Sequence, residues 1–255
     1  MIHSVNGIIL HRREITESSL ILTAFTDRAG KLSLLAKGAR RRRSPFLGRV
    51  ELFTRCAITY YDSPRRGLNI LSECDPIDAF APLRTDLSRF ALACCFAELV
   101  EMGTGLSAKS AGVFELLGEA LSAACADAEQ GLVRSCFEVR LLSLLGYSLR
   151  LDACASCHSG AGTRRIFSAA AGGVVCARCA PRFRDGLGVT PGAVAFLARL
   201  RASRPNAEFR VKPDARQSAE ASEMLRRAIV FYLEAQPRTG RLLASLPAHE
   251  RVRSA

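Results

Sequence analysis

The sequence predicts an α+β chain: an N-terminal five-stranded β-barrel of the oligonucleotide-binding (OB) type, followed by a helical domain carrying an inserted four-cysteine zinc ribbon. Three observations lead there. Short apolar runs parted by turn residues fill the first 80 positions, apolar residues recur at three- and four-residue intervals after Pro82, and two C-x2-C pairs interrupt that helical pattern. The expected domains are a nucleic-acid-binding barrel over 1–80, a helical domain over 81–150 and 186–245, a ribbon over 151–185 and a flexible tail over 246–255.

In the first segment, residues 7–10, 20–25, 32–36, 50–61 and 68–71 read as strands, separated by turn signals at 27–30 and 63–67. Five short strands suggest a small barrel, whose curved sheet and loops present basic and aromatic side chains to a strand of nucleic acid. Charge supports that partner. The chain of 255 residues has 36 Lys and Arg against 24 Asp and Glu, a net charge of +12, which favours a polyanion. Thirteen basic against eight acidic residues fall in 1–80, nine against nine in 81–180 and fourteen against seven in 181–255, so the excess sits at the two ends.

The stretch 28–49 holds eight basic residues and no acid. The loop 37–45, with Lys37, Arg40, Arg41, Arg42 and Arg43, is the expected main phosphate grip for nucleic acid. Four consecutive arginines can also form a self-repelling solvated loop or a localisation-like tract, and the flanking strands favour the folded alternative. Nearby aromatic residues are limited to Phe25, Phe46, Phe53, Tyr60 and Tyr61, some of which must fill the core. Phosphate contact should therefore outweigh base reading, with low sequence specificity.

Three helices are expected over 82–102, 110–126 and 131–145, and two more over 191–201 and 215–235. Their apolar stripes (Leu83, Leu87, Phe90 and Cys94 on the first; Met224, Leu225, Ala228, Ile229 and Leu233 on the last) read as core, not as a cofactor box. Arg199, Arg201, Arg204, Arg210, Lys212, Arg226 and Arg227 read as a solvated basic face, with a second DNA surface as the less favoured alternative.

Cys154 and Cys157 form one C-x2-C pair and Cys176 and Cys179 the other, eighteen residues on. Each pair fits a tight turn that aims two thiolates at one point, and two turns complete the tetrahedral shell of a structural Zn2+. Gly160, Gly162, Gly172 and Gly173 flank the pairs and tolerate the positive φ such turns demand. Residues 164–168 and 173–175 should be the two ribbon strands. His158 is a turn residue or, less well, a substitute ligand. Four thiolates leave no open position for catalysis. Cys56, Cys74, Cys94, Cys95, Cys125 and Cys136 lie among apolar neighbours without regular spacing and read as core thiols, so no disulfide framework is implied. The start MIHSVNGIIL lacks a basic segment leading into a long apolar run, and no window is apolar enough to span a membrane, so a reducing cytoplasm is the expected location.

No G-x4-G-K-[ST] phosphate loop, paired-metal carboxylate cluster or G-x-S-x-G occurs, and His3, His11, His158 and His249 are scattered. No enzyme is expected. The two open alternatives are a barrel-and-ribbon factor acting on RNA and a nucleic-acid-modifying enzyme using the ribbon as a support.

Three stretches together resemble the bacterial recombination mediator family RecO: GKLSLLAKGARRRRS at 30–44, FEVRLLSLLGY at 137–147, and LDACASC at 151–157 with FSAAAGGVVCARC at 167–179. The resemblance covers nearly the whole chain, and it departs at His158, where that family often carries glycine. It implies a non-enzymatic role in recombinational DNA repair in the bacterial cytoplasm, associated with the nucleoid. The chain would bind single- and double-stranded DNA, anneal complementary strands and work with RecR to load RecA onto strands coated by single-strand-binding protein (SSB). It further implies that DNA contact falls on Lys31, Lys37, Arg40, Arg41, Arg42 and Arg43 of the barrel, and that the acidic, apolar C-terminal tail of SSB meets the helical domain, where Arg134 and Arg140 are the candidates.

Overall fold

The computed structural model describes residues 1–63, 67–105, 110–126, 128–205 and 213–239. The expected tail over 246–255 and the basic residues Arg210 and Lys212 lie outside these. The described elements are mixed α and β, in two compact units, Met1–Cys125 and Ala126–Ala255.

The first unit is built on strands β1 (Ile2–Glu14), β2 (Leu20–Thr26), β3 (Gly30–Ala36), β4 (Arg55–Tyr61) and β5 (Asn69–Asp78), closed in the order β1-β2-β3-β5-β4. All pairings are antiparallel except β3 with β5, which is the five-stranded OB arrangement. The single strand β1 serves two neighbours. Its residues Ile2 to Ile8 pair with β4 and Gly7 to Glu14 with β2, with a register shift between Ile9 and His11 that bends the strand around the barrel. Gly7 lies where both pairings overlap, and a Cβ there would come 2.6 Å from Ile58 Cδ1.

Strand alternation then sets the two faces. Leu20, Leu22 and Ala24 on β2, Leu34 and Ala36 on β3, and Cys56, Ile58 and Tyr60 on β4 fill the barrel interior. Phe53, just before β4, meets Phe90 edge-on at 5.5 Å, and the Arg55 guanidinium lies 5.0 Å above the Phe114 ring. Phe90 belongs to α1 (Leu87–Gly103) and Phe114 to α2 (Ala111–Cys125), so this side of the barrel is covered by helix. The Asp86 carboxylate caps α1 by accepting from the Arg89 amide at 2.9 Å.

The boundaries differ from the sequence expectation in three places. The helix expected from residue 82 is a 3-10 turn over Ala81–Arg84 followed by α1 from Leu87, whose side chain is exposed and not part of the core. β1 and β5 run further than their apolar centres, because their polar ends still pair. The run expected as one strand over 50–61 begins only at Arg55, since Phe53 has φ 62° and residues before it form turns.

The second unit contains α3 (Gln130–Leu144), the ribbon strands β6 (Arg165–Ser168), β7 (Gly173–Cys176) and β8 (Leu187–Gly188), then α4 (Pro191–Ala202) and α5 (Ala215–Tyr232). The three helices pack on one another, with Val133, Phe137, Leu197, Leu200, Met224 and Leu225 all buried. Thr190 caps α4 with Pro191 in its first turn, and Asp214 with Gln217 closes a capping box at α5. The two-residue β8, which has no sequence signal of its own, adds a third antiparallel strand to the β6–β7 hairpin.

Candidate nucleic-acid interface and metal centre

The arginine run lies in the connection between β3 and β4, which has no regular secondary structure yet is folded. Successive turns close from the amides of Arg41, Ser44, Leu47 and Arg49 to the carbonyls of Gly38, Arg41, Ser44 and Phe46, at 2.9–3.2 Å. Ala39, Phe46 and Val50 from the same stretch are buried in the barrel core. At the near end, the Arg40 amide donates to the Ser18 carbonyl at 3.0 Å and the Gly38 amide to Ser19 Oγ at 3.2 Å. A loop anchored at its base and by three inward side chains holds its outward side chains against a fixed surface, unlike a self-repelling solvated tract.

Those outward side chains are basic. Lys37, Arg40, Arg41, Arg42 and Arg43 are exposed. Arg40 pairs with Glu14 at 2.8 Å, whereas Lys37, Arg41, Arg42 and Arg43 make no ion pair among the described residues. Lys31 stands apart from them. Its ammonium donates to the Glu101 carbonyl at 2.9 Å, in the last turn of α1, where unpaired carbonyls attract a cation. Beside it His11 Nε2 lies 2.7 Å from Glu101, and that hydrogen bond raises the histidine pKa. Phe25, Phe46, Phe53 and Tyr60 are buried, which leaves Tyr61, 44% exposed, as the accessible aromatic of the five.

In the second unit the four sulfurs of Cys154, Cys157, Cys176 and Cys179 lie within 4.8 Å of one another, and Cys157 and Cys176 are 3.9 Å apart. Zinc–sulfur bonds of ~2.3 Å in a tetrahedron put neighbouring sulfurs at ~3.8 Å, so the set fits a four-thiolate metal. The two turns form as the spacing demands. The Cys154 amide donates to the Ser159 carbonyl at 2.8 Å, the His158 amide to the Cys154 carbonyl at 2.9 Å, and the Cys179 amide to the Cys176 carbonyl at 3.0 Å. Gly162, Gly172 and Gly173 have positive φ, but Gly160 does not; the first turn places that conformation on His158, at 61°. The His158 ring faces Arg150, with Nδ1 3.2 Å from Nη1, and is not among the clustered ligand atoms.

At two of the four cysteines the surroundings stabilise negative sulfur. The Ser159 hydroxyl, followed by its amide and the Arg178 guanidinium, draws the Cys157 thiol down to about 5. At Cys154, burial acts upwards but the amides of Cys176, Cys157 and Ser156 prevail and lower the pKa. Cys179 is pushed up to about 11, chiefly by its hydrogen bond to Cys157. Metal ligation acts on thiolates, so binding of a cation here would release protons.

Arg134 and Arg140 both lie half-buried on α3. Arg134 donates to Glu138 at 2.7 Å, and burial raises the pKa of that carboxyl against the pull of the arginine. Of the C-terminal basic residues, Arg226 and Arg227 both bind Glu223, while Arg201 donates to the Leu149 carbonyl at 2.6 Å. No described helix is long and apolar enough to cross a membrane.

The models of Recombination protein O N terminal and Recombination protein O C terminal match residues 1–80 and 84–241. Among curated proteins, the chain is similar to the DNA repair protein RecO of Roseiflexus sp., 33% identical over 93% of this chain and 83% of that one. The DNA repair protein RecO of Symbiobacterium thermophilum is 30% identical over 100% of this chain and 99% of its own length. That of Anaeromyxobacter sp. is 34% identical over 77% and 78%. Matched by both family models from residue 1 to 241 and by these relatives over most of its length, the chain belongs to the RecO family of DNA repair proteins.

Proposed function

We propose that this chain is a non-catalytic mediator of recombinational repair, which grips DNA phosphates with the loop between β3 and β4. It anneals complementary strands and, with RecR, helps RecA onto single strands coated by SSB. The observation that carries this is the anchored loop, whose Lys37, Arg41, Arg42 and Arg43 have no acidic partner among the described residues and face solvent. Arg40 can join them by leaving Glu14, an exposed pair of small worth. Lys31 belongs to the same set only if it leaves the Glu101 carbonyl. One accessible tyrosine gives little base stacking, so single and double strands of any sequence are suitable ligands.

Structural Zn2+ is the metal that four thiolates and no carboxylate select, and its part is to hold the ribbon together. The SSB tail, acidic and apolar, would meet α3 near Arg134 and Arg140. The reaction needs no nucleotide and takes place in the bacterial cytoplasm at the nucleoid. Annealing of complementary strands coated by SSB, measured with and without the protein, tests the proposal. Acceleration without nucleotide is expected; tight DNA binding with no acceleration would leave a passive binding protein or an RNA-directed factor in its place.

A further inference from the structure

A groove of about 540 Å³ opens in the second unit between β6, the second cysteine turn and the start of α4. Three arginines line it and no acid does: Arg164, Arg165 and Arg216. Arg164 is exposed and makes no ion pair among the described residues. Arg165 gives one terminal nitrogen to the Gly162 carbonyl, while its Nε is buried with no hydrogen-bond partner. Arg216 gives Nε to Glu220 at 2.9 Å; the other oxygen of that carboxylate takes the Thr190 amide and hydroxyl, each at 2.7 Å. Glu220 is thus spent on the α4 cap, and the terminal nitrogens of Arg216 remain available.

We propose that this groove holds the sugar–phosphate backbone of a nucleic-acid strand, as a second contact surface in addition to the barrel loop. Guanidinium groups present planar forks that match phosphate oxygens, and Arg164 and the terminal nitrogens of Arg216 are donors that no ion pair among the described residues occupies. The charge also continues past the groove. Residues 150–185 hold six arginines against Asp152 and Asp185, and Asp185 is occupied by Ser168 Oγ and the Ala170 amide. Such a spread suits an extended polyanion better than one small anion. No aromatic side chain lines the groove, so bases would not stack there and the contact would be indifferent to sequence. Ile166, Val189 and Pro191 offer apolar surface to the sugars.

The inference rests on the chain being a nucleic-acid binder, and the test separates the two. The full-length protein, its metal content and melting checked, is titrated with a fluorescein-labelled thymidine oligonucleotide in four forms. These are the unchanged chain; the loop variant Arg41→Ala, Arg42→Ala, Arg43→Ala; the groove variant Arg164→Ala, Arg216→Ala; and their combination. Arg165 is left in place because it braces the ribbon turn at Gly162. The loop variant should retain weak binding, and the added groove changes should reduce that remainder at least tenfold and its log–log salt slope by about 1.4, two single-strand phosphate contacts. Arg164→Lys with Arg216→Lys should restore only part of it, since lysine returns the charge without the planar fork. Residual binding unchanged by the groove substitutions would overturn the proposal. If instead the loop variant alone binds at full strength, the loop assignment fails and the groove variant compared with the unchanged chain still decides the groove.

Discussion

At the scale of single residues, the metal turns show how backbone conformation and ligation depend on one another. Gly173 has φ 156°, and a Cβ there would meet the Arg150 carbonyl oxygen at 2.1 Å, because the two backbones run side by side with the Val174 amide donating to Arg150 at 2.9 Å. Backbone atoms cannot move aside as a flexible side chain would. Gly173→Ala should therefore destabilise the protein by roughly 2–4 kcal/mol, read by denaturant melting of the metal-loaded chain. An unchanged midpoint would mean that Arg150 does not approach so closely. His158 is the converse case. It takes a left-handed conformation that costs a non-glycine residue about 1 kcal/mol or more, in a turn where its amide and its ring both have partners, the Cys154 carbonyl and Arg150.

At the scale of elements, the loop between β3 and β4 and helix α5 carry the clearest consequences. Each single-strand phosphate contact contributes about 0.7 to the salt slope, so Arg41→Ala, Arg42→Ala and Arg43→Ala together should flatten it by about 2 and weaken binding alike across sequences. A slope that stays put would remove the loop from the interface. On α5, hydrogen bonds from Arg226 and then Arg227 hold the Glu223 carboxyl down to about 2 from its ordinary 4.5, and Arg227 also reaches the Asp185 carbonyl at 3.0 Å. Between those two pH values the unfolded chain binds the proton and the folded chain does not, so stability rises with pH through the window and is lost as pH falls through it. Glu223→Gln should cost about 1 kcal/mol or less near neutrality, since the pair is partly exposed and screened, and that gap should close towards pH 2 in acid melts. A gap that persisted at pH 2 would assign the loss to packing instead.

At the scale of the whole molecule, the barrel and the ribbon depend on different forces. The barrel buries a continuous apolar core, whereas the ribbon, about 35 residues long, is too short to be stable on apolar burial alone. Its small core is largely the four cysteines with Val175, Ile166, Ala171 and Phe183. Metal binding of the order of 10 kcal/mol in comparable four-ligand modules would dominate it. Stripping the metal with a chelator under reducing conditions should abolish amide protection in β6 and β7 while β1 to β5 keep theirs, as hydrogen exchange on the full chain would show. Equal loss in the barrel would show that the metal supports both units.

The four-cysteine cluster was legible in the sequence because its rule is local: two residues between cysteines fix a turn, and two turns bring four thiols together. The barrel strands and all five helices were legible too, from alternation and from three- and four-residue periodicity. Periodicity says which face of an element is apolar but not which neighbour covers it. Only the tertiary structure places α1 and α2 with the barrel and α3, α4 and α5 together, pairs β3 with β5 in parallel, and turns Lys31 to the end of α1. It alone also brings Arg164 and Arg165 to one groove with Arg216, about fifty positions away, since no repeat or spacing links residues whose proximity arises from packing a ribbon strand beside a helix.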